Sequence, residues 1–214
     1  MALATLSPGR QYAQALEKVT SDWRVAVPAI QAGAVVLREA RTADAAALFD
    51  LFAAEKVGRF ITPPPPNPAT FERFIASMHR ERAAARAFCL AVVPHGGTSP
   101  VGLFQVRATD PGSPVAQWGF ALSPDLWGTG VFSDAARAVI EFAFERAGFV
   151  RLEARTCVLN GRGNGALAKL GAIREAILRR SFERDGEYFD QALWSIVRQD
   201  WRETKGGFRA AVVH

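Results

Sequence analysis

Hydrophobic positions along the 214-residue chain follow two periods, and the switches between them mark out the elements. "AVVLREA" (34–40) has the β-branched content of a strand. Thr42 can cap a helix through "ADAAALFDLFAAEKV", where Ala46, Phe49, Leu51 and Phe52 approximate a helical stripe. "NPATFERFIASMHRERAAAR" (67–86) predicts a second helix, with Asn67 at the cap, Pro68 at the first position and Phe71, Phe74, Ile75 and Met78 on one face. Between them the tetraproline 63–66 reads as a stiff surface loop, because polyproline cannot continue a helix. "AFCLAVV" (87–93), "PVGLFQVRA" (100–108) and "VAQWGFAL" (115–122) are strand-like and joined by Gly- and Pro-bearing turns, which predicts an antiparallel meander.

The period then changes. A helix over 133–147 places Ala136, Val139, Ile140, Ala143 and Ala147 on one face, with Gly148 where a stop is expected, and "VRLEARTCVL" (150–159) follows as a strand. Strand, helix and strand in succession form a βαβ unit, whose strands should be parallel. A short helix, "GNGALAKLG" (163–171), leads to "AIREAILRRSFE" and "EYFDQALWSIVRQ", two strand-like segments around the turn Arg184-Asp185-Gly186. The fold class is therefore α/β: one domain over 33–202, with a mixed central sheet that is antiparallel in its N-terminal meander, a parallel βαβ crossover in the middle, and flanking helices. Residues 1–32 read as an N-terminal extension in which "YAQALEKV" (12–19) can make two helical turns, and 203–214 as a tail.

Composition narrows the classes. With 49% apolar residues, the chain can bury a sizeable core. Its net charge of +5 suits a polyanionic partner, either nucleic acid or a phosphorylated cofactor. Only Lys18, Lys56, Lys169 and Lys205 of the 26 basic residues are lysine, an arginine excess that GC-rich coding explains equally well. No helix-turn-helix, zinc-finger or aromatic-basic RNA motif is visible, so nucleic acid is not the expected partner. Cys89 and Cys157 are the two cysteines, without a CxxC or a histidine cluster, so neither a disulfide framework nor a metal site is expected. Arg10, Glu17, Lys18, Asp22 and Arg24 interrupt any signal-peptide core, and no apolar run approaches the roughly 20 residues of a membrane span. A cytoplasmic monomer or homodimer with no membrane partner is the expectation.

The chemistry concentrates at Gly128-Thr129-Gly130. A bare G-x-G is more often a turn than a ligand site, and neither the Walker A ending nor the third glycine of a Rossmann fingerprint is present. The context favours a phosphate cradle. Glycines before the positive end of a helix let backbone N–H groups converge on an anion, and here they follow a strand and precede a helix whose successor strand leads to Asn160.

"WGFALSPDLWGTGVFSDAARAVIEFAFERAGFVRLEARTCVLN" and "LAKLGAIREAILRRSFERDGEYFDQALWSIVRQDW" resemble the GCN5-related N-acetyltransferases, in the branch that acetylates ribosomal-protein N-termini. The resemblance runs from about residue 34 to residue 201. It rests on motifs in order: Trp-Gly-x-Gly entering a helix, Leu-Glu-Ala-Arg on the next strand, Asn160 eleven residues before Gly171, and Arg-Asp-Gly-x-Tyr-x-Asp near the end. It implies acetyl-CoA as cosubstrate and a primary amine, on a protein N-terminus or a small molecule, as acceptor. By position, backbone groups around Leu122 and Ser123 would meet the pantetheine and thioester. Amides of Leu126, Trp127, Gly128, Thr129, Gly130, Val131 and Phe132 would hold the pyrophosphate, and Asn160 would touch the pantetheine arm.

Three departures accompany it. Asp125 stands where the family's phosphate loop usually begins with Gln or Arg, and a carboxylate beside a pyrophosphate is repulsive. Gln117 occupies the place of a Glu that many members use as base, and Gly163 that of a serine suspected of protonating the leaving thiolate. Glu153 and Tyr188 are the remaining catalytic candidates. Set against them, Glu153 reads as a partner of Arg151 or Arg155, and Tyr188 as a half-buried strand residue. Cys157 falls near the expected thioester and reads as an inert thiol; Trp118 and Trp127 flank the slot; Asp190 either positions an amine or pairs with an arginine. The acceptor is expected between Phe60–Pro66 and the last two strands. A degenerate relative that binds an acyl-CoA or a protein without catalysis is the alternative reading.

Overall fold

Alternation in the strands decides the layering. In the computed structural model, which describes residues 22–61 and 66–204, eight strands form one sheet: β1 (Ile30–Ala32), β2 (Val35–Glu39), β3 (Ala87–Pro94), β4 (Gly102–Ala108), β5 (Val115–Leu122), β6 (Arg151–Cys157), β7 (Ile173–Arg184) and β8 (Glu187–Val197). Their order is β1-β2-β3-β4-β5-β6-β8-β7, and β5 with β6 is the single parallel pair. The helices are α1 (Ala45–Ala53), α2 (Glu55–Gly58), α3 (Pro68–Ala83), α4 (Val131–Glu145), α5 (Gly161–Lys169) and α6 (Arg198–Glu203).

Two cores lie on opposite faces. On one, Phe88, Leu90 and Val92 of β3 meet Trp118 of β5, Leu152 of β6 and the α4 residues Ala136, Val139, Ile140 and Ala143. On the other, Ala87, Cys89, Ala91 and Val93 of β3 pack against Leu48 of α1 and Phe71, Ile75 and Met78 of α3. Covered on both faces, β3 is buried almost throughout, as its unbroken apolar run requires. The second layer reaches Leu103 of β4 and goes no further, so Gln117 and Gly119 of β5 and Arg155 of β6 are exposed.

The meander, the crossover and the Arg184–Gly186 hairpin follow the expected pattern. Asn67 caps α3 by accepting from the Thr70 N–H at 2.9 Å, with Pro68 opening the helix. Elsewhere the structure differs. Ile30–Ala32, assigned to the extension, form β1 and pair with Val35–Leu37, and Val27 and Ala32 enter the core. Thr42 is not the helix cap: it begins a 3-10 turn, and Asp44 accepts from the Arg41 N–H and from the Arg38 guanidinium. The helix expected to reach Val57 breaks at Ala54, whose backbone is extended, and the chain doubles back. Gly58 permits this, since a Cβ there would stand 2.6 Å from the Phe52 carbonyl oxygen. Helix α4 begins two residues early, at Val131, because Gly130 in the left-handed region supplies the cap backbone. The predicted turns of 12–19, most of the tetraproline and residues 205–214 of the tail lie outside the described residues, while Glu203, assigned to the tail, ends α6.

Candidate functional site

Strands β5 and β6 share only three parallel pairs, Val115 with Arg151, Ala116 with Leu152 and Gln117 with Glu153. Both continue past that point, each held from its outer side: β5 pairs with β4 as far as Leu122 and β6 with β8 as far as Cys157. The facing edges are left without ladder partners, and a slot opens with Gln117 and Glu153 at its apex. Strands that diverge at their carboxyl ends are where open α/β sheets bind ligands.

At the end of β5 the chain enters a 3-10 turn, Pro124–Leu126. Leu122 and Ser123, expected to face the thioester, are partly committed to the protein: the Leu122 carbonyl accepts from Trp127 Nε1 at 2.9 Å, and the Ser123 N–H donates to the Val101 carbonyl at 2.7 Å. The loop that follows is different. Gly128 and Gly130 adopt φ of +81° and +92°, and the N–H groups of Gly128, Gly130, Val131 and Phe132 have no intramolecular acceptor among the described residues. A Cβ on either glycine would meet nothing within 4 Å, so the concave side is open. Unpaired amides at the positive end of a fifteen-residue helix are able to hold an anion. Thr129 differs, its N–H and hydroxyl both donating to the Leu126 carbonyl.

Asp125 is exposed in the 3-10 turn and has no ion pair among the described residues, so water screens its charge from the loop. Across the loop, the Arg162 guanidinium lies 4.3 Å from the centre of the Trp127 ring, which brings a cation from the start of α5 to the cradle. Sequence reasoning missed Arg162; its position two residues after Asn160 is the only signal that marks it.

On the β6 side, Asn160 caps α5, its Oδ1 accepting from the Gly163 N–H at 2.9 Å. That engages one end of the amide expected to touch the pantetheine arm. Asn164, also missed, ties the turn together: its Nδ2 donates to the carbonyls of Cys157 and Asn160, and its Oδ1 accepts from Trp194 Nε1. Gly163 is a packing requirement here, because a Cβ would lie 2.7 Å from Asn160 Nδ2 and 3.0 Å from Thr156 Cγ2.

Glu153 stands at the apex, with Oε1 accepting from Arg151 Nε at 2.8 Å and Oε2 without a hydrogen-bond partner among the described residues. Arg151 also pairs with Glu175, which accepts from Ser195 Oγ at 2.6 Å. These bonds hold the Glu175 carboxyl at about 2, against an ordinary 4.5, with the Arg151 guanidinium the larger cause. Tyr188 is not brought to the slot. It is 56% exposed, lies in the hairpin beyond the last β6 to β8 pair, and carries the Arg180 guanidinium 5.0 Å from its ring. Asp190 accepts from the Arg180 N–H at 2.8 Å, fixing a residue at φ +49°. Trp118 stacks on Phe104 in the core, and Cys157 is fully buried.

A cavity of about 650 Å³ opens between the α1–α2 segment and the β7–β8 hairpin, with Leu159 in its wall. It occupies the region expected for the acceptor. Arg184 closes one side by donating to the carbonyls of Gly58 at 2.8 Å and Ile61 at 3.2 Å.

A family model described as an acetyltransferase (GNAT) domain matches residues 34–173. The N-acetyltransferase YoaA of Bacillus subtilis is 24% identical over 177 residues, which cover 80% of this chain and 97% of that protein. The ribosomal-protein-S5-alanine acetyltransferase of Vibrio fischeri superposes with a TM-score of 0.71 at 18% identity, over 81% of this chain and 98% of the other. Mycobacterium smegmatis RimJ, solved in complex with CoA-disulfide, gives 0.69 at 21% identity, over 80% and 87%. At these identities the structural likeness is one of fold.

Proposed function

The chain belongs to the acetyltransferase (GNAT) domain family, and from that premise we propose that it transfers an acetyl group from acetyl-CoA to a primary amine. It is an acyltransferase of a family that uses acetyl-CoA; the amine and the residue roles are our reading. The observation that carries it is the row of amides at Gly128, Gly130, Val131 and Phe132, which have no acceptor among the described residues, in a loop whose two glycines have open space beside them. Gly128 and Gly130 are exposed, Phe132 is half-buried and Val131 buried, so these unpaired donors are open to an incoming anion at the helix start. They fit a pyrophosphate, and Arg162 on Trp127 supplies a cation at the same place. Leu126, Trp127 and Thr129 shape the turn, while Leu122, Ser123 and Asn160 border the path between the diverging strands.

Acetyl-CoA supplies the activated acyl group: the amine nitrogen bonds to the thioester carbonyl carbon, the C–S bond breaks, and the amine proton leaves to balance the thiolate. Glu153, in register with Gln117 at the apex, takes that proton through its Oε2. Much of the rate comes from holding the reactants together. The test is direct. Acetyl-CoA should raise the melting temperature, by linkage equivalent to about 2.7 kcal/mol at a hundred times its Kd, and free CoA should appear when amines are added. No rise with acetyl-CoA removes the reading. A rise with no CoA release from a broad amine panel supports a binding protein instead.

A further inference from the structure

The cavity beside Leu159 has a composition of its own. Phe52, Phe60, Phe182 and Phe189 line it, and Glu55 and Glu187 stand at its margin. The rings are held in place: Phe182 is 8% exposed and lies 6.3 Å from Phe189, and Phe52 is braced against Phe71 in the core at 5.6 Å. A volume of about 650 Å³ accommodates a small molecule of one ring or more. The charged lining is not balanced. Arg184 is committed to the Gly58 and Ile61 carbonyls and to Asp185, and Arg59 lies over the Phe60 ring. Glu55 and Glu187 form no ion pair among the described residues.

We infer that the acceptor is an arylalkylamine: a primary amine that is cationic in solution and carries an apolar, ring-sized body without a carboxylate. The inference rests on the acetyl-transfer reading above. Aromatic rings around a preformed volume desolvate an apolar body and also favour a nearby ammonium. The unpaired carboxylates draw the ammonium form to a chain that is otherwise strongly basic. A protein N-terminus with a small first residue would leave the four rings in water.

The experiment compares four acceptors at saturating acetyl-CoA, scored by CoA release: 2-phenylethylamine, ethanolamine, L-phenylalanine and a peptide beginning with Ala. The expected kcat/KM for 2-phenylethylamine exceeds each of the others by at least about tenfold, the scale on which an apolar pocket discriminates. Phe60→Ala should raise its KM by about tenfold and so narrow its advantage over ethanolamine, and Glu187→Gln should raise it severalfold. Equal or better use of ethanolamine or the peptide overturns the aryl class. Equal use of L-phenylalanine overturns the role of the carboxylates. Calorimetric binding of acetyl-CoA is measured beside these rates. Binding with no turnover of any of the four overturns the arylalkylamine class, and binding with peptide turnover overturns it while acetyl transfer stands. Absence of binding removes acetyl transfer itself.

Discussion

The two sides of the slot are built differently. The cradle at Gly128–Phe132 is local: a few consecutive residues present their own backbone, and its shape follows from two glycines at positive φ and one helix start. The cavity opposite is assembled from residues far apart in sequence, with Arg184 reaching across 126 positions to the Gly58 carbonyl. A site made of amides tolerates sequence drift everywhere except where backbone conformation is demanding. A site made of side chains changes its ligand with each substitution. This contrast accounts for a proposed cofactor side that a short motif announces and a proposed acceptor side that no motif describes.

The contrast can be broken at five points, beginning where the two sides meet. Glu153→Gln should lower kcat by about 100-fold, the usual scale for removing a general base, while both the acetyl-CoA Kd and the acceptor KM stay within about twofold. A loss of activity confined to a higher KM, with kcat unchanged, would return Glu153 to a purely structural partner of Arg151. Next, the double substitution Gly128→Ala and Gly130→Ala strains a backbone at φ +81° and +92° with no steric neighbour to blame. At about 1–2 kcal/mol for each residue forced into the left-handed region, acetyl-CoA affinity by calorimetry should fall about 30-fold or more. Acceptor KM should not move.

Arg184→Ala tests the opposite side. Losing charge-assisted bonds to two carbonyls, each worth about 1.5–3 kcal/mol, loosens the Gly58–Ile61 segment and should raise acceptor KM about tenfold without changing acetyl-CoA affinity. An equal effect on both ligands would show that the two sides do not function separately. Gly163→Ser, which restores the residue type expected from the family resemblance, must push Asn160 off its cap. It should cost about 1 kcal/mol, seen as a melting temperature lower by a few degrees, with no gain in turnover.

The smallest effect is acid sensitivity. Because the folded Glu175 carboxyl is held at about 2 rather than 4.5, its contribution is fully present above pH 4.5 and is lost as pH falls toward 2. Its side chain is 37% exposed, so solvent screening keeps the contribution modest. Glu175→Gln should flatten the stability profile in that window and leave neutral-pH activity alone, as followed by acid titration of the circular dichroism signal.

Much of the fold was legible because periodicity reports burial. The apolar run 87–93 marked a strand, which the structure covers on both faces, and the stripe Ala136, Val139, Ile140, Ala143 marked a helix, which packs on one of them. Asn67-Pro68 announced its own helix start, since a cap and a proline act on adjacent backbone. Other features left no local trace. The break at Ala54 depends on Gly58 folding back against Phe52, and β1 forms only because Val35–Leu37 lie beside it. Among candidate residues, Glu153 and Tyr188 were indistinguishable as members of strands, yet one stands at the apex and the other well beyond the last β6 to β8 pair.

The amino-acid sequence by itself determined the alternation of elements, the class of the sheet, the Asn67 cap and the glycine turn in front of a helix, because each arises between residues a few positions apart. Only the tertiary structure decided that β5 and β6 part company after Gln117 and Glu153, that Arg162 sits on Trp127, that Gly163 leaves room for Asn160, and that four phenylalanines from three elements and an adjoining loop enclose one cavity. Those arrangements depend on contacts whose partners are separated by tens of residues or fixed by strand register, and periodicity carries no information about which distant side chain fills a given space.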